Sequence, residues 1–165
     1  MLQIDPTHTL KLRRYKFEDI PAIIKNTKEF CAEHPFYSTL EYDEERVTWV
    51  LLRHQADYDH FYCDMVEHNG EPVAGLGAMT TGYVMAKARY AMDMIQFIKK
   101  DYRSGRAFDL LIGGYLDWGR VQGLHDCKVS YTMDEKNDRL LERMLKKHGF
   151  TRFGTEFVRI LGEDK

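Results

Sequence analysis

Apolar and polar residues alternate over residues 9–15, as they do in a half-buried strand, so the chain is predicted to open on one. Glu18, Asp19 and Pro21 suit the first turn of a helix, and Ile20, Ile23, Ile24 and Thr27 follow on one face, which predicts a helix to about Cys31. His34-Pro35 breaks it. Asp43 is placed to cap a second helix, in which Val47, Val50 and Leu51 recur at helical spacing. Residues 61–68 and 73–81 flank the turn-forming Asn69-Gly70-Glu71-Pro72 and predict an antiparallel hairpin. Gly75 and Gly77 leave one face of its second strand bare, either for helix packing or for a ligand lying on the sheet.

Residues 90–98 form the most apolar strand, and they run directly into the polar loop 99–107. Phe108, Leu111, Ile112, Tyr115 and Leu116 then recur at i, i+3, i+4, i+7 and i+8, one face of a third helix. After Gly123, residues 127–131 read as a short strand. A fourth helix starts at about Asn137, carries Leu140, Leu141, Met144 and Leu145, and ends at Gly149. Residues 150–153 and 156–160 are two last strand segments around Gly154. The expected fold class is therefore α/β: a mixed, mostly antiparallel seven-stranded sheet with about four helices and a βαβ unit at its centre.

The chain of 165 residues has no linker, repeat or low-complexity tract, so residues 1–165 read as one domain. Its net charge of −2 supplies no global field toward nucleic acid, although Arg139, Arg143, Lys146 and Lys147 make a local basic patch. No run approaches the ~20 apolar residues of a membrane span, and the first ten residues lack the pattern of a signal peptide, so a soluble, cytoplasmic protein is expected. Cys31, Cys63 and Cys127 have neither the number nor the spacing of a disulfide framework or zinc ribbon. His54, Asp57, Asp59 and His60 fall within seven residues, but their spacing matches no ligand pattern; no metal is expected.

The loop before the third helix carries the chemistry. A glycine-containing turn leading into a helix N-terminus presents free N–H groups and partial positive charge, which suit phosphate oxygens. Lys99, Lys100, Arg103 and Arg106 add side-chain charge. Residues 97–107, together with Leu12-Arg13, Glu18-Asp19, residues 118–123, and residues 139–143 through His148-Gly149-Phe150, resemble the GNAT N-acetyltransferase family over nearly the whole chain. The closest likeness is to small acetyltransferase-like proteins of bacteriophages. The resemblance implies acetyl-CoA as co-substrate. Backbone groups of Phe97 and Ile98 would polarise the thioester, and Arg103, Ser104, Gly105, Arg106, Ala107 and Phe108 would hold the pyrophosphate, with Asn137 as a further cofactor contact.

Two departures stand out. The family's Arg/Gln-x-x-Gly-x-Gly/Ala loop is not met in one register: Arg103 in first place puts Arg106 and Phe108 at the small positions, whereas Gly105 and Ala107 there put Tyr102 first. Leu145 stands four residues before the glycine, where many members carry a tyrosine acid. Asp93, on the apolar strand, is the candidate base, with a solvent-facing acid or an Arg89 pair as the plain alternative; Tyr131 is the candidate acid, and a core tyrosine as its plain alternative. The acceptor, a small-molecule or protein amine, would sit between the first two helices and the last strands, beside Phe36, Tyr37, Tyr42 and Tyr58. A catalytically degenerate binding module stays open as the second function, and a homodimer is compatible with either.

Overall fold

The computed structural model describes residues 9–34, 36–103, 105–130 and 135–154, with only the backbone of 135–138. Strand β1 (Lys11–Arg14) is followed by helices α1 (Ile20–Glu33) and α2 (Glu44–Ala56), strands β2 (Phe61–His68), β3 (Glu71–Gly82) and β4 (Arg89–Ile98), helix α3 (Arg106–Val121), strand β5 (Asp126–Lys128) and helix α4 (Glu135–Lys147). The strands lie in sequence order, antiparallel except for the last pair, β4 and β5, which is parallel and joined by α3. Local chemistry explains the boundaries. The Asp43 carboxylate accepts the Arg46 N–H at 2.8 Å and caps α2. Asn69 and Gly70 take φ of 52° and 85°, as a tight hairpin turn requires. Gly149, at φ 83°, closes α4: its own N–H reaches Lys146 O, and Phe150 N–H reaches Leu145 O.

Side chains alternate across β2, so Tyr62 and Val66 join a core beneath α3 and α4, whereas Cys63 and Met65 join a smaller one beneath α1 and α2. The expected seven strands are five among the described residues. Residues 150–153 are not a strand: Phe150 packs on the core, Phe153 is 90% exposed, and no described strand pairs with them. Residues 156–160 lie outside the described residues. β5 stops at Lys128 rather than residue 131 because the Ser130 N–H is taken by the Asp93 carboxylate instead of the ladder.

Candidate functional site

β4 and β5 pair only from Tyr90↔Asp126 to Met92↔Lys128; beyond that, β4 continues six residues to Ile98 with no strand on that edge among the described residues. A fork results. A β-bulge lies beside it, since Gly77 faces Ile95 and Ala78 faces Asp93, leaving Met94 as the extra residue. Asp93 sits where the strands part and accepts the Ser130 N–H at 2.8 Å. Burial pushes its carboxyl up to about 6, although the Ser130 bond opposes the shift. Lys99 N–H donates to Val73 O at 3.0 Å, so ladder alternation also turns Phe97 toward β3 and leaves the N–H groups of Gln96 and Ile98 facing the fork.

Past Ile98 the chain makes a single 3-10 turn, Lys100–Tyr102, fixed by the Tyr102 hydroxyl on His68 Nδ1 at 2.8 Å. Gly105 then takes φ 97°, a conformation that side chains rarely adopt, and its carbonyl receives the Asp109 N–H at 2.9 Å to start α3. The first-turn N–H groups of Arg106, Ala107 and Phe108 have no carbonyl within the helix. The nearest atom to a Cβ built on Gly105 is Met144 Cε, at 3.7 Å. The backbone there is open enough for a pyrophosphate to approach, and its donors fit one.

No protein-family model matches the chain, and no curated protein matches it in sequence. Solved structures do match in fold. A glucosamine-6-phosphate N-acetyltransferase from Arabidopsis thaliana aligns at 11% identity with a TM-score of 0.70, covering 93% of this chain and 99% of that one. An aminoglycoside acetyltransferase from an uncultured soil metagenomic sample, in complex with sisomicin, aligns at 17% identity and TM-score 0.66, covering 93% and 97%. The fold is that of the GNAT acetyltransferases. A transcriptional regulator from Bacillus halodurans matches it as well, at 14% identity and TM-score 0.69, covering 91% and 99%. Identities this low speak for the fold alone.

Within this GNAT fold, Asp93, Ile98, Gly105, Arg106 and Ala107 fall along one path from the fork to the start of α3. The Phe97 N–H is spent on β3. Ala107 and Phe108 are buried in the core. Arg103 donates to Ile98 O at 2.9 Å and pairs with Glu33 at 3.2 Å, and Lys100 pairs with the same Glu33 at 2.9 Å. The hydrogen bond from Lys100, with that from Arg103, holds the Glu33 carboxyl below the usual carboxylate range. Sequence reasoning missed this pairing, which spans the chain from α1 to the loop. Ser104 and Tyr131 lie outside the described residues, as does the side chain of Asn137.

Asp93 is half-buried and is not paired with Arg89, whose guanidinium donates to Gln122 O. Leu145 is 6% exposed and belongs to the core beneath α3 and α4. The four residues do not gather into one cluster: His54 is buried against β3, while Asp57 and His60 pair with each other at 2.8 Å. No three metal-binding side chains come together among the described residues. Tyr58 packs beneath α3 with Tyr62 and Trp118, on the face opposite α1 and α2, so it is no part of an acceptor wall with Phe36, Tyr37 and Tyr42. Gly75 and Gly77 are filled by the chain itself: a Cβ on Gly75 would meet Met65 Sδ and the Phe97 ring at 2.8 Å, and one on Gly77 would meet Ile95 Cγ2 at 2.7 Å. Among the described residues no helix is long and apolar enough to cross a membrane.

Proposed function

We propose that the protein is an N-acetyltransferase that passes the acetyl group of acetyl-CoA to a primary amine of a small molecule or protein. The observation that carries this reading is the fork itself, with a desolvated Asp93 at its apex and the open N-terminus of α3 at its far end. Acetyl-CoA supplies the acetyl group as a thioester. The outward N–H groups of Gln96 and Ile98 line the edge where a thioester carbonyl is polarised. The backbone of residues 105–108 and the Arg106 side chain hold the pyrophosphate. Asp93 takes the proton that the amine loses as its nitrogen attacks the thioester carbon and the carbon–sulfur bond breaks. Tyr131, one residue beyond Ser130, returns a proton to the departing sulfur. A carboxyl near 6 is ionised at neutral pH and close enough in affinity to accept a proton, so turnover should rise with pH through about 6.

The experiment is thiol release from acetyl-CoA over a panel of amines, beside calorimetry with acetyl-CoA. Asp93→Asn and Tyr131→Phe should each lower turnover with little change in acetyl-CoA affinity. A folded chain that binds no acetyl-CoA would sink the reading. The binding-module alternative is favoured by Glu33, which already neutralises Lys100 and Arg103. Tight acetyl-CoA binding with no turnover on any amine would decide for it.

A further inference from the structure

A cleft of about 420 Å³ separates α1 from the connection between β4 and α3. Asn26, Glu29, Phe30 and Glu33 line it from α1, at i, i+3, i+4 and i+7, a second helical face beside the apolar one. Phe97 lies on the opposite side, with Lys99, Lys100 and Arg103 beyond it. Charge divides by wall. The acids Glu29 and Glu33 stand on α1, and all three bases stand on the connection, with Asp101 the one acid among them.

The cleft also holds an unmet polar group. Asn26 is 5% exposed, and its side chain makes no hydrogen bond among the described residues. A buried amide without a partner is unfavourable unless a ligand or water satisfies it. Glu33 spans the cleft to Lys100 and Arg103, while Glu29 and Lys99 make no ion pair among the described residues. Glu29 on α1 and Lys99 on the connection are therefore free to meet a ligand, as is Asp101 beside the bases, with Phe30 and Phe97 also lining the cleft.

Resting on the acetyltransferase reading above, we infer that this cleft is the acceptor subsite and that it takes a zwitterionic small molecule, an amine that also carries a carboxylate or a phosphate. Its ammonium is held by Glu29 and the Asn26 amide. Its anion is held by Lys99, with Lys100 drawn from Glu33. A plain amine leaves the basic wall facing a cation, and a plain anion meets Glu29 and Glu33; only a molecule with both charges satisfies both walls. The volume suits a small molecule rather than a protein surface. The floor residue Phe97 is followed by Ile98, whose N–H faces the fork, so an amine in the cleft approaches the acetyl group from the α1 side.

The full chain is titrated by calorimetry with phosphoethanolamine, 4-aminobutyrate, ethanolamine and inorganic phosphate, with and without acetyl-CoA. At least one zwitterion is expected to bind about tenfold more tightly than ethanolamine and phosphate, and Glu29→Gln should cost it about tenfold while leaving acetyl-CoA affinity unchanged. The tighter of the two zwitterions identifies the anion. Ethanolamine binding as well as the zwitterions, or a zwitterion affinity untouched by Glu29→Gln, overturns the inference. If acetyl-CoA binds and neither zwitterion does, the inference fails and the transferase reading stands; if a zwitterion binds and acetyl-CoA does not, the transferase reading fails and the ligand class of the cleft stands.

Discussion

α3 lays Phe108, Leu111, Ile112 and Tyr115 on one face of the sheet, each at most 2% exposed, whereas α1 and α2 add to the other face only Ile23 and Leu51 as fully buried apolar side chains. Unsatisfied polar groups occur on both faces, the Tyr62 hydroxyl beneath α3 among them. Beneath α1 and α2 are Asn26, with no side-chain partner, and His54, whose two ring nitrogens both lack a hydrogen bond. On β4, Met92 and Met94 stay 37% and 44% exposed. One face is packed for stability, and the other carries the cleft. Mutations on the two faces should therefore separate stability from function.

The largest separation is expected from core truncation. Leu111→Ala removes a side chain with no exposure and should cost about 2–5 kcal/mol, because the space beneath α3 cannot fully collapse. Val47→Ala, on the half-buried side of α2, should cost under about 1.5 kcal/mol. Urea unfolding measures both. Equal losses would mean that the two faces are packed alike.

A second contrast lies in how His54 and Asp93 respond to acid. Burial lowers the His54 imidazole from 6.5 to about 4, so between those values the unfolded chain binds more protons and stability falls as the pH falls. Asp93 has the opposite sign. Burial raises its carboxyl from 3.8 to about 6, so the folded chain binds more protons in that window and stability rises as the pH falls. His54→Phe should flatten the loss of stability between pH 6.5 and 4, and Asp93→Asn should steepen it. Urea midpoints across that range check both slopes. Parallel shifts at every pH in the two variants would refute the assignment.

How much of this was legible follows from range along the chain. The α3 face was legible because five apolar residues repeat at helical spacing, and so were the Asn69-Gly70 hairpin and the Asp43 cap, where a few adjacent residues fix the backbone. Asp93 was singled out as an acid in an apolar strand, and burial explains its shift. The Glu33 pairs with Lys100 and Arg103 left no local trace, since they join the end of α1 to a loop far along the chain. The polar face of α1 was hidden for a related reason: Asn26, Glu29 and Glu33 look like ordinary solvated positions until β4 is placed opposite them. Tyr58 was misread because a residue just past a helix end gives no sign of which sheet face it will meet.

The smallest effect tests why the α3 face packs so closely. Gly113 and Gly114 are neighbours in α3 with opposite surroundings: a Cβ on Gly113 would meet nothing within 4 Å, whereas one on Gly114 would come to 2.7 Å from the Tyr62 hydroxyl and closer still to Leu12. Leu12 is half-buried at the edge of the core and can swing away. Tyr62 cannot, because its ring is wedged among Tyr58, Tyr115 and Trp118. Gly114→Ala should therefore destabilise by about 1–3 kcal/mol, through overpacking. Gly113→Ala should stabilise by roughly 0.5–1 kcal/mol, because alanine loses less backbone freedom than glycine on entering a helix. Tyr62→Phe removes the crowded hydroxyl, which lies beside the buried Asp64 carboxyl. In the Gly114→Ala background it should recover part of the loss, and a double-mutant cycle measures that coupling. Strictly additive effects would show that the helix moves away as a body, and that the close approach of α3 does not depend on Gly114.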